Sequence, residues 1–158
     1  MRPEQFRSYS AVFPILLRSG PHGQEVLLHL RQNTGYMDGH WDFAGSGHVD
    51  ENETARQAVA RECQEELGIT VEPADAEFIH LCHRVAGGDG RTYYDLCFRI
   101  RRYSGEPAVM ELEKNAGLHW FPTDALPENI SSAVEAMLLH CLRGEAYSEV
   151  IHDVPVTP

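Results

Sequence analysis

The sequence lacks long apolar runs and has little positive charge. Lys and Arg together number 13, against 24 for Asp and Glu, and the formal net charge is -11. A protein that binds polyanions needs a basic surface, so this composition argues against tight binding of duplex DNA or RNA. An acidic protein can still bind phosphate groups where divalent cations lie between the two negative partners.

The longest apolar stretch near the start of the sequence is AVFPILL, residues 11–17. It is much shorter than the roughly 20 residues that a membrane-spanning helix requires. Pro14 interrupts it, and no small-residue cleavage site follows. We therefore expect a buried strand here rather than a signal peptide, and no contact with a membrane.

The sequence has few cysteines, and their spacing does not match a metal site. No CxxC motif is present among Cys63, Cys82, Cys97 and Cys141. Each has apolar neighbours, which predicts that each is a small core residue. We expect reduced thiols and a cytoplasmic location.

The chain has 158 residues, which suits one domain with a sizeable core. It contains no repeat, no low-complexity segment and no linker long enough to divide it. We predict a single domain over residues 1–158, with mobile residues at its two ends.

Turn residues and apolar patterns predict several strands and two helices. The predicted strands are residues 10–17, 25–31, 41–43, 77–85, 92–102 and 118–121. The predicted helices are residues 54–67, which Gly68 ends, and residues 131–143, which Gly144 ends. Because the helices are well separated among the strands, we predict an α/β fold, in which a mixed sheet carries helices on both faces.

The first predicted helix has glutamates beside its apolar side. At about 100° per residue, Cys63 and Leu67 belong to an apolar arc that also includes Glu66. Glu62 lies at the edge of this arc, and Glu65 lies about 60° beyond it. The three carboxylates therefore crowd the border of the buried face instead of pointing away from it.

Like charges at this spacing repel one another, and partial burial adds a desolvation cost. A cation that neutralises the cluster removes both penalties. Glu62, Glu65 and Glu66 offer only hard oxygen ligands, which favours Mg²⁺ or Mn²⁺ over zinc. The alternative is a solvated acidic edge, with Arg56 and Arg61 as its partners.

The wider stretch GHVDENETARQAVARECQEELGI, residues 47–69, adds a longer motif. It matches the Nudix box, GX5EX7REUXEEXGU, at every specified position, with cysteine at the first apolar one. The protein thus resembles the Nudix hydrolases. The order of strands, loop, motif helix, strands and final helix fits the single-domain Nudix fold over most of the chain. The resemblance implies a three-layer α/β/α sandwich with a mixed β-sheet.

The resemblance also implies a reaction and a cofactor. Nudix hydrolases cleave a phosphoanhydride bond of a nucleoside diphosphate linked to a further group X, and they use Mg²⁺, which Mn²⁺ can replace. The implied metal ligands are Glu62, Glu65, Glu66 and the backbone carbonyl of Gly47. The implied catalytic residues are Glu53, Arg61, Glu62, Glu65 and Glu66. In this family, Arg61 would orient the glutamates, and Glu53 would act indirectly.

The general base stays open at this point. Glu65 or Glu66 is one alternative, and a glutamate of the later segment GEPAVMELEK, either Glu111 or Glu113, is the other. A solvated acidic loop would explain the later segment equally well.

Further residues are candidates for contacting the substrate. Arg31 ends a strand and could meet a phosphate, and Tyr36 and Trp41 could stack on a base. The alternatives are a surface arginine for Arg31 and a strand residue that fills the core for Trp41. The complete set of predicted substrate-binding residues is Arg31, Tyr36, Trp41, Gly45, Glu111 and Glu113, and Arg91, Tyr93 and Tyr94 are candidates for the opposite wall.

The resemblance also narrows the range of substrates, because residues that mark two other substrate classes of the family are missing. The region HLCHRVAGG, residues 80–88, has neither the proline common in ADP-ribose hydrolases nor the tyrosine common in dinucleoside polyphosphate hydrolases of this family. This favours a MutT-like enzyme that converts a nucleoside triphosphate to a monophosphate and pyrophosphate. A nucleotide-sugar or other conjugate hydrolase, and a nucleotide-binding module without catalysis, are the alternatives. The partner would be a small nucleotide, and the oligomeric state, monomer or homodimer, stays open.

Overall fold

The computed structural model describes residues 4–157. The strands are β1 (Tyr9–Gly20), β2 (Gly23–Arg31), β3 (Trp41–Phe43), β4 (Gly47–His48), β5 (Glu77–Val85), β6 (Tyr93–Ile100), β7 (Asn115–Pro122), β8 (Tyr147–Ile151) and β9 (Val154–Pro155). The helices are α1 (Ala55–Leu67) and α2 (Ser132–Leu142), and a short 3₁₀ turn spans Pro73–Asp75. The mobility expected of the chain ends concerns residues 1–3 and 158, which lie outside the described residues.

The strands form one mixed sheet in the order β3-β2-β1-β6-β5-β8-β9. β4 pairs with β1, and β7 pairs with β2. β1 changes its partner along its length: residues 9–16 pair with β6 in parallel, and residues 17–20 pair with β2 antiparallel. The two halves of the sheet therefore diverge beside β1, and β4 pairs with Ala11 and Val12 of β1 at this place.

The core consists of two layers, one on each face of the sheet. Val12 and Leu16 of β1 face a cluster that includes residues of α1. Phe13 and Ile15 face the other cluster, which includes residues of α2. This alternation along one strand buries both of its faces, as expected for a central strand between two helical layers. The prediction of an α/β/α sandwich with a mixed sheet is confirmed.

Local signals set the two ends of α1. The Thr54 side chain accepts a hydrogen bond from the Gln57 backbone N–H, and the Gln57 side chain accepts one from the Thr54 backbone N–H. This reciprocal cap satisfies donors that the first turn of a helix leaves free. At the other end, Gly68 adopts the left-handed conformation (φ 67°), which costs glycine little. The predicted helix 54–67 agrees with this range.

The structure differs from the predictions mainly near the C-terminus. No strand was predicted after the second helix, but β8 pairs in parallel with β5, and β9 pairs with β8. Strand β4 was not among the predicted strands either. The four cysteines are all buried and free, as predicted. None of the helices in residues 4–157 is long and apolar enough to cross a membrane.

Candidate active site

The turn between β3 and α1 brings the backbone close to the first helix. A Cβ atom added to Gly47 would lie 2.0 Å from Glu62 Oε1. Any side chain at this position would thus displace the Glu62 carboxylate. β4 then pairs with β1 and leads the chain to the start of α1. The packing explains in physical terms why the motif begins with glycine.

Arg61 joins the charged residues of the motif. Its Nε and Nη2 atoms donate to the two carboxylate oxygens of Glu53, at 2.8 and 3.0 Å. Its Nη1 atom donates to Glu62 Oε1 at 2.7 Å and to Glu65 Oε2 at 3.3 Å. Its Nη2 atom also donates to the His48 carbonyl at 2.9 Å. One guanidinium therefore fixes three carboxylates relative to the turn that precedes the helix.

These contacts have electrostatic consequences for both partners. The hydrogen bonds from Arg61 hold the pKa of the Glu53 carboxyl below its usual value. The same bonds, led by those to Glu53, raise the pKa of Arg61. Glu53 is therefore a permanent anion and Arg61 a permanent cation, as an orienting pair requires.

Glu62 and Glu66 lie in a different environment from Glu65. Glu62 is 8% exposed, and burial raises the pKa of its carboxyl. Burial raises the pKa of Glu66 to about 8, and the nearby charges of Glu62 and Glu111 act in the same direction. The Glu65 side chain is 55% exposed and rests against Arg61. The fold thus brings Glu62 and Glu66 together at an energetic cost and leaves Glu65 at the rim.

The donors fit a hard divalent cation in kind. Two neighbouring carboxylates with raised pKa values, beside a glycine that leaves them room, provide only oxygen ligands, which Mg²⁺ and Mn²⁺ prefer. Within residues 4–157, however, no three His, Cys, Asp or Glu side chains are already grouped around one point. Arg61 holds Glu62 and Glu65, so these side chains would have to turn to complete a coordination shell with Glu66.

Two cavities open beside this cluster and share four lining residues. The shared residues are Arg31, Thr34, Ser46 and His48. One cavity, here called the glutamate cavity, has a volume of about 440 Å³ and includes Glu66, Glu111 and Lys114. The other, here called the arginine cavity, has a volume of about 430 Å³. Because four residues line both, the two cavities lie side by side, and together they are here called the cleft.

The arginine cavity combines cationic and aromatic groups. Its lining includes Tyr36, Arg84, Asp89, Arg91 and Tyr93. The guanidinium of Arg84 lies 4.3 Å from the centre of the Tyr93 ring, and the Tyr93 hydroxyl donates to Asp89 Oδ2 at 2.9 Å. Such a surface suits a flat, polar, aromatic group. Of the candidates for the opposite wall, Arg91 and Tyr93 line this cavity, whereas Tyr94 is exposed and stacks on His83.

Arg31 lines both cavities, but its donors bind other protein groups. Its Nε atom donates to the Tyr36 carbonyl at 2.9 Å, Nη1 to Asp42 Oδ2 at 3.1 Å and Nη2 to Thr34 Oγ1 at 3.1 Å. In this conformation Arg31 therefore organises the loop after β2. A contact with substrate phosphate remains a prediction.

Two other predicted substrate residues lie away from the cleft. Trp41 packs edge-on against Phe121, with ring centres 4.7 Å apart, and belongs to the core layer beside α2. Its place agrees with the alternative of a core residue. Glu113 is exposed, and its carbonyl accepts a bond from Asn33 Nδ2 at 3.0 Å. Glu111, by contrast, lines the glutamate cavity together with Glu66.

The sequence interpretation missed two site residues. Arg84 binds Asp95 with its Nε and Nη2 atoms, at 2.8 and 3.2 Å, and Asp95 is fully buried. Asp95 lies on the same buried face of β6 as Tyr93 and Cys97, because side chains two residues apart in a strand point the same way. An acidic residue at a position where this pattern predicts burial was the signal that could have found the pair. His29 in β2 lines the glutamate cavity, and its Nε2 atom is the one buried side-chain nitrogen or oxygen without a hydrogen-bond partner within residues 4–157.

Comparisons with known proteins agree with this geometry. A family model described as the NUDIX domain matches residues 9–140. A MutT NUDIX hydrolase from Burkholderia pseudomallei has a similar structure, with a TM-score of 0.74 and 28% identity, over 85% of this chain and 98% of that one. The E. coli ORF135 protein gives a TM-score of 0.69 and 26% identity, over 87% of this chain and 90% of that one.

A sequence relative gives a narrower match. An 8-oxo-dGTP diphosphatase from Proteus vulgaris is 46% identical over 46 residues. The matched segment covers 29% of this chain and 40% of that protein.

Because the family model matches most of the chain, the protein belongs to the NUDIX family. The resemblance that the motif carried is confirmed, and so is the fold that it implied.

Proposed function

We propose that this protein is a Mg²⁺-dependent Nudix pyrophosphohydrolase that converts a nucleoside or deoxynucleoside triphosphate into a monophosphate and pyrophosphate. One observation carries the proposal. The cleft has Glu66 and Glu111 at one end and an arginine-rich, aromatic cavity at the other. A nucleotide has the matching polarity, with phosphates that need cations and a base that stacks.

In this proposal the glutamate cavity holds the phosphates. A bound divalent cation would shield the phosphate charge and make a coordinated water more acidic. Glu62 and Glu66, with Glu65 and the carbonyl of Gly47, would hold that cation. Arg61 would keep Glu62 and Glu65 oriented, while Glu53 keeps Arg61 in place.

The attacking water must lose a proton as its oxygen bonds to phosphorus, and the pyrophosphate group leaves with the electrons of the broken P–O bond. Glu66 and Glu111 line the same cavity and are the best-placed proton acceptors. Glu65 and Glu113 are exposed, which makes them weaker candidates for the general base. A base must reach the proton it removes, so geometry is the first criterion.

The arginine cavity would take the nucleobase. Tyr36 offers an aromatic ring for stacking, and base–aromatic stacking contributes about 1–3 kcal/mol per base. Arg84 is already fixed by Asp95, so it can present a donor with little further loss of entropy. The name of the Proteus relative makes 8-oxo-dGTP one compound to test.

The test is a substrate panel with Mg²⁺ and then Mn²⁺, with products separated by anion exchange. It compares the natural deoxynucleoside triphosphates, 8-oxo-dGTP, ADP-ribose and nucleotide sugars. Wild type and Glu66→Gln are assayed together, with Glu135→Gln, an exposed position on α2, as the matched control.

We expect pyrophosphate and a monophosphate from at least one triphosphate, with wild type and Glu135→Gln but not with Glu66→Gln. Activity on ADP-ribose or nucleotide sugars alone would replace the triphosphate assignment with a conjugate hydrolase. Binding of nucleotides without any product would indicate a nucleotide-binding module.

A further inference from the structure

The C-terminal hairpin lies beyond the segment that matches the family, which ends at residue 140. Its strands β8 and β9 are joined by His152 and Asp153, which both have positive φ angles of 50° and 60°. The backbone N–H of His152 donates to the Val85 carbonyl at 3.0 Å, and its Nδ1 atom lies 3.1 Å from the Ala86 carbonyl. The turn is therefore attached to the end of β5, close to the cleft.

Asp153 connects this turn to the loop that follows β2. The Tyr36 hydroxyl donates to Asp153 Oδ1 at 2.8 Å, across 117 positions of sequence. Burial, followed by this hydrogen bond, raises the pKa of Tyr36, so the hydroxyl stays a donor at any physiological pH. A charge-assisted hydrogen bond of this kind is stronger than one between neutral groups.

The ring of Tyr36 has little room to move. A Cβ atom added to Gly88 would lie 2.8 Å from Tyr36 Cε2, so the ring packs directly on the glycine backbone. The Tyr36 carbonyl accepts a bond from Arg31, whose guanidinium lies 5.6 Å from the ring centre. Tyr36 is thus held at its backbone by Arg31 and at its hydroxyl by Asp153, and its ring lines the arginine cavity.

We propose that Asp153 is a positioning residue for substrate specificity, which acts through Tyr36 by fixing the wall that contacts the nucleobase. The inference rests on the proposed function, because it takes the arginine cavity as the base-binding part of the cleft. A wall that is ordered before the substrate arrives costs less entropy on binding than one that must order around it. The C-terminal hairpin, outside the matched family segment, thereby becomes part of the specificity device.

The experiment measures binding and turnover separately. Calorimetry with Ca²⁺ gives the Kd for dGMP, dAMP, dCMP and dTMP and for inorganic pyrophosphate, and initial rates with the preferred triphosphate give KM and kcat. The variants are Asp153→Ala, Tyr36→Phe, the double variant and Asp153→Asn, which keeps an acceptor oxygen. Tyr147→Phe is the matched control, because Tyr147 donates to Glu149 at 2.9 Å on the exposed side of the same hairpin.

We expect Asp153→Ala and Tyr36→Phe each to weaken binding of the preferred monophosphate and raise KM by about tenfold, as expected for loss of a hydrogen bond to a carboxylate. The double variant should be no weaker than either single variant, because both remove the same bond. Asp153→Asn should recover most of the loss. The kcat value, the affinity for pyrophosphate and the Tyr147→Phe control should be unchanged.

The inference is overturned if both single variants bind the monophosphates as wild type does, or if the two losses add. Equal losses of pyrophosphate affinity would also overturn it, since they would indicate a general disturbance of the cleft. If the wild-type protein hydrolyses a triphosphate and the variants keep its Kd and KM values, the positioning role is refuted and the proposed function stands. If the wild-type protein binds nucleotides but forms no product, the proposed function is refuted. The Kd values of the variants then still show whether Asp153 positions Tyr36.

Discussion

Helices α1 and α2 pack on opposite faces of the same sheet, but they bury different kinds of residue. α2 buries only apolar side chains, among them Met137 and Leu138. α1 buries Val59 and Leu67 in the same way, but it also buries Glu62. α2 contributes apolar side chains, two of which, Val134 and Met137, also line the arginine cavity, whereas α1 accepts the cost of a buried carboxylate. Of the two helices, α1 is therefore the one in which a buried charged group lowers the stability of the folded protein.

Removing the charge of Glu62 should have the largest effect, because we expect it to lower activity without lowering metal-free stability. We expect Glu62→Gln to lower kcat/KM by about a thousandfold, because it removes a proposed ligand of the cation that shields the phosphate charge. In metal-free buffer the same variant should unfold at an equal or higher urea concentration, because a desolvated anion has been removed. Enzyme assays and urea titrations of one preparation measure both. A large loss of metal-free stability would contradict the account of α1.

Shortening a residue of α2 should have the opposite pattern. Leu138 is fully buried, and Leu138→Ala should cost about 2–5 kcal/mol of unfolding free energy. The kcat of the remaining folded protein should not change. Urea denaturation measures the loss, and Leu142→Ala, at a 36% exposed position of the same helix, is the control. Similar losses at both positions would show that burial does not set the cost.

Mg²⁺ should stabilise the folded protein, and the effect should depend on the carboxylates of α1 and not on the packing of α2. A cation that binds only the folded protein stabilises it by about 2.7 kcal/mol at a hundredfold excess over its Kd. We expect a higher Tm with Mg²⁺ for wild type and for Leu138→Ala, and no shift for Glu66→Gln. Thermal unfolding with Mg²⁺ and with EDTA gives the comparison. An equal shift in Glu66→Gln would place the cation elsewhere.

A smaller effect, with a pH dependence, is expected beneath α2. His80 is fully buried, with Nε2 2.7 Å from Ser148 Oγ, and burial lowers the pKa of its imidazole. The unfolded chain therefore takes up a proton below a pH of about 6.5 that the folded protein resists. Stability should be fully present above that pH and decline as the pH falls through it. Urea titrations of wild type and His80→Gln across this range test the slope, which the variant should reduce.

The sequence predicted what local patterns encode. The cap at Thr54, the stop at Gly68 and the motif itself define α1, and each lies within a few residues of its partners. The helical period predicted three glutamates beside the apolar stripe, and in the structure Glu62 is buried, Glu66 is half-buried and Glu65 is exposed. The helix alone could not show that Arg61 would hold Glu65 outside.

The missed features depend on contacts between distant segments. Arg84 and Asp95 meet only because β5 and β6 pair in one register. β8 pairs in parallel with β5, although β6, β7 and α2 lie between these two strands in the sequence. No local sequence pattern specifies such a distant partner. Arg31 was predicted as a phosphate ligand, which stays a prediction, and the sequence did not show that three of its N–H groups bind neighbours in the folded loop.

The change of partner along β1 has a consequence for how the molecule opens. The same strand belongs to both halves of the sheet, with hydrogen bonds to β6 over its first part and to β2 over its last. Neither half can detach without breaking the backbone pairing of β1. The amides of β1 should accordingly exchange with deuterated solvent only through global opening, at the slowest rate in the protein. A cleft that lies between two halves of a sheet is in this way compatible with cooperative unfolding of the whole domain.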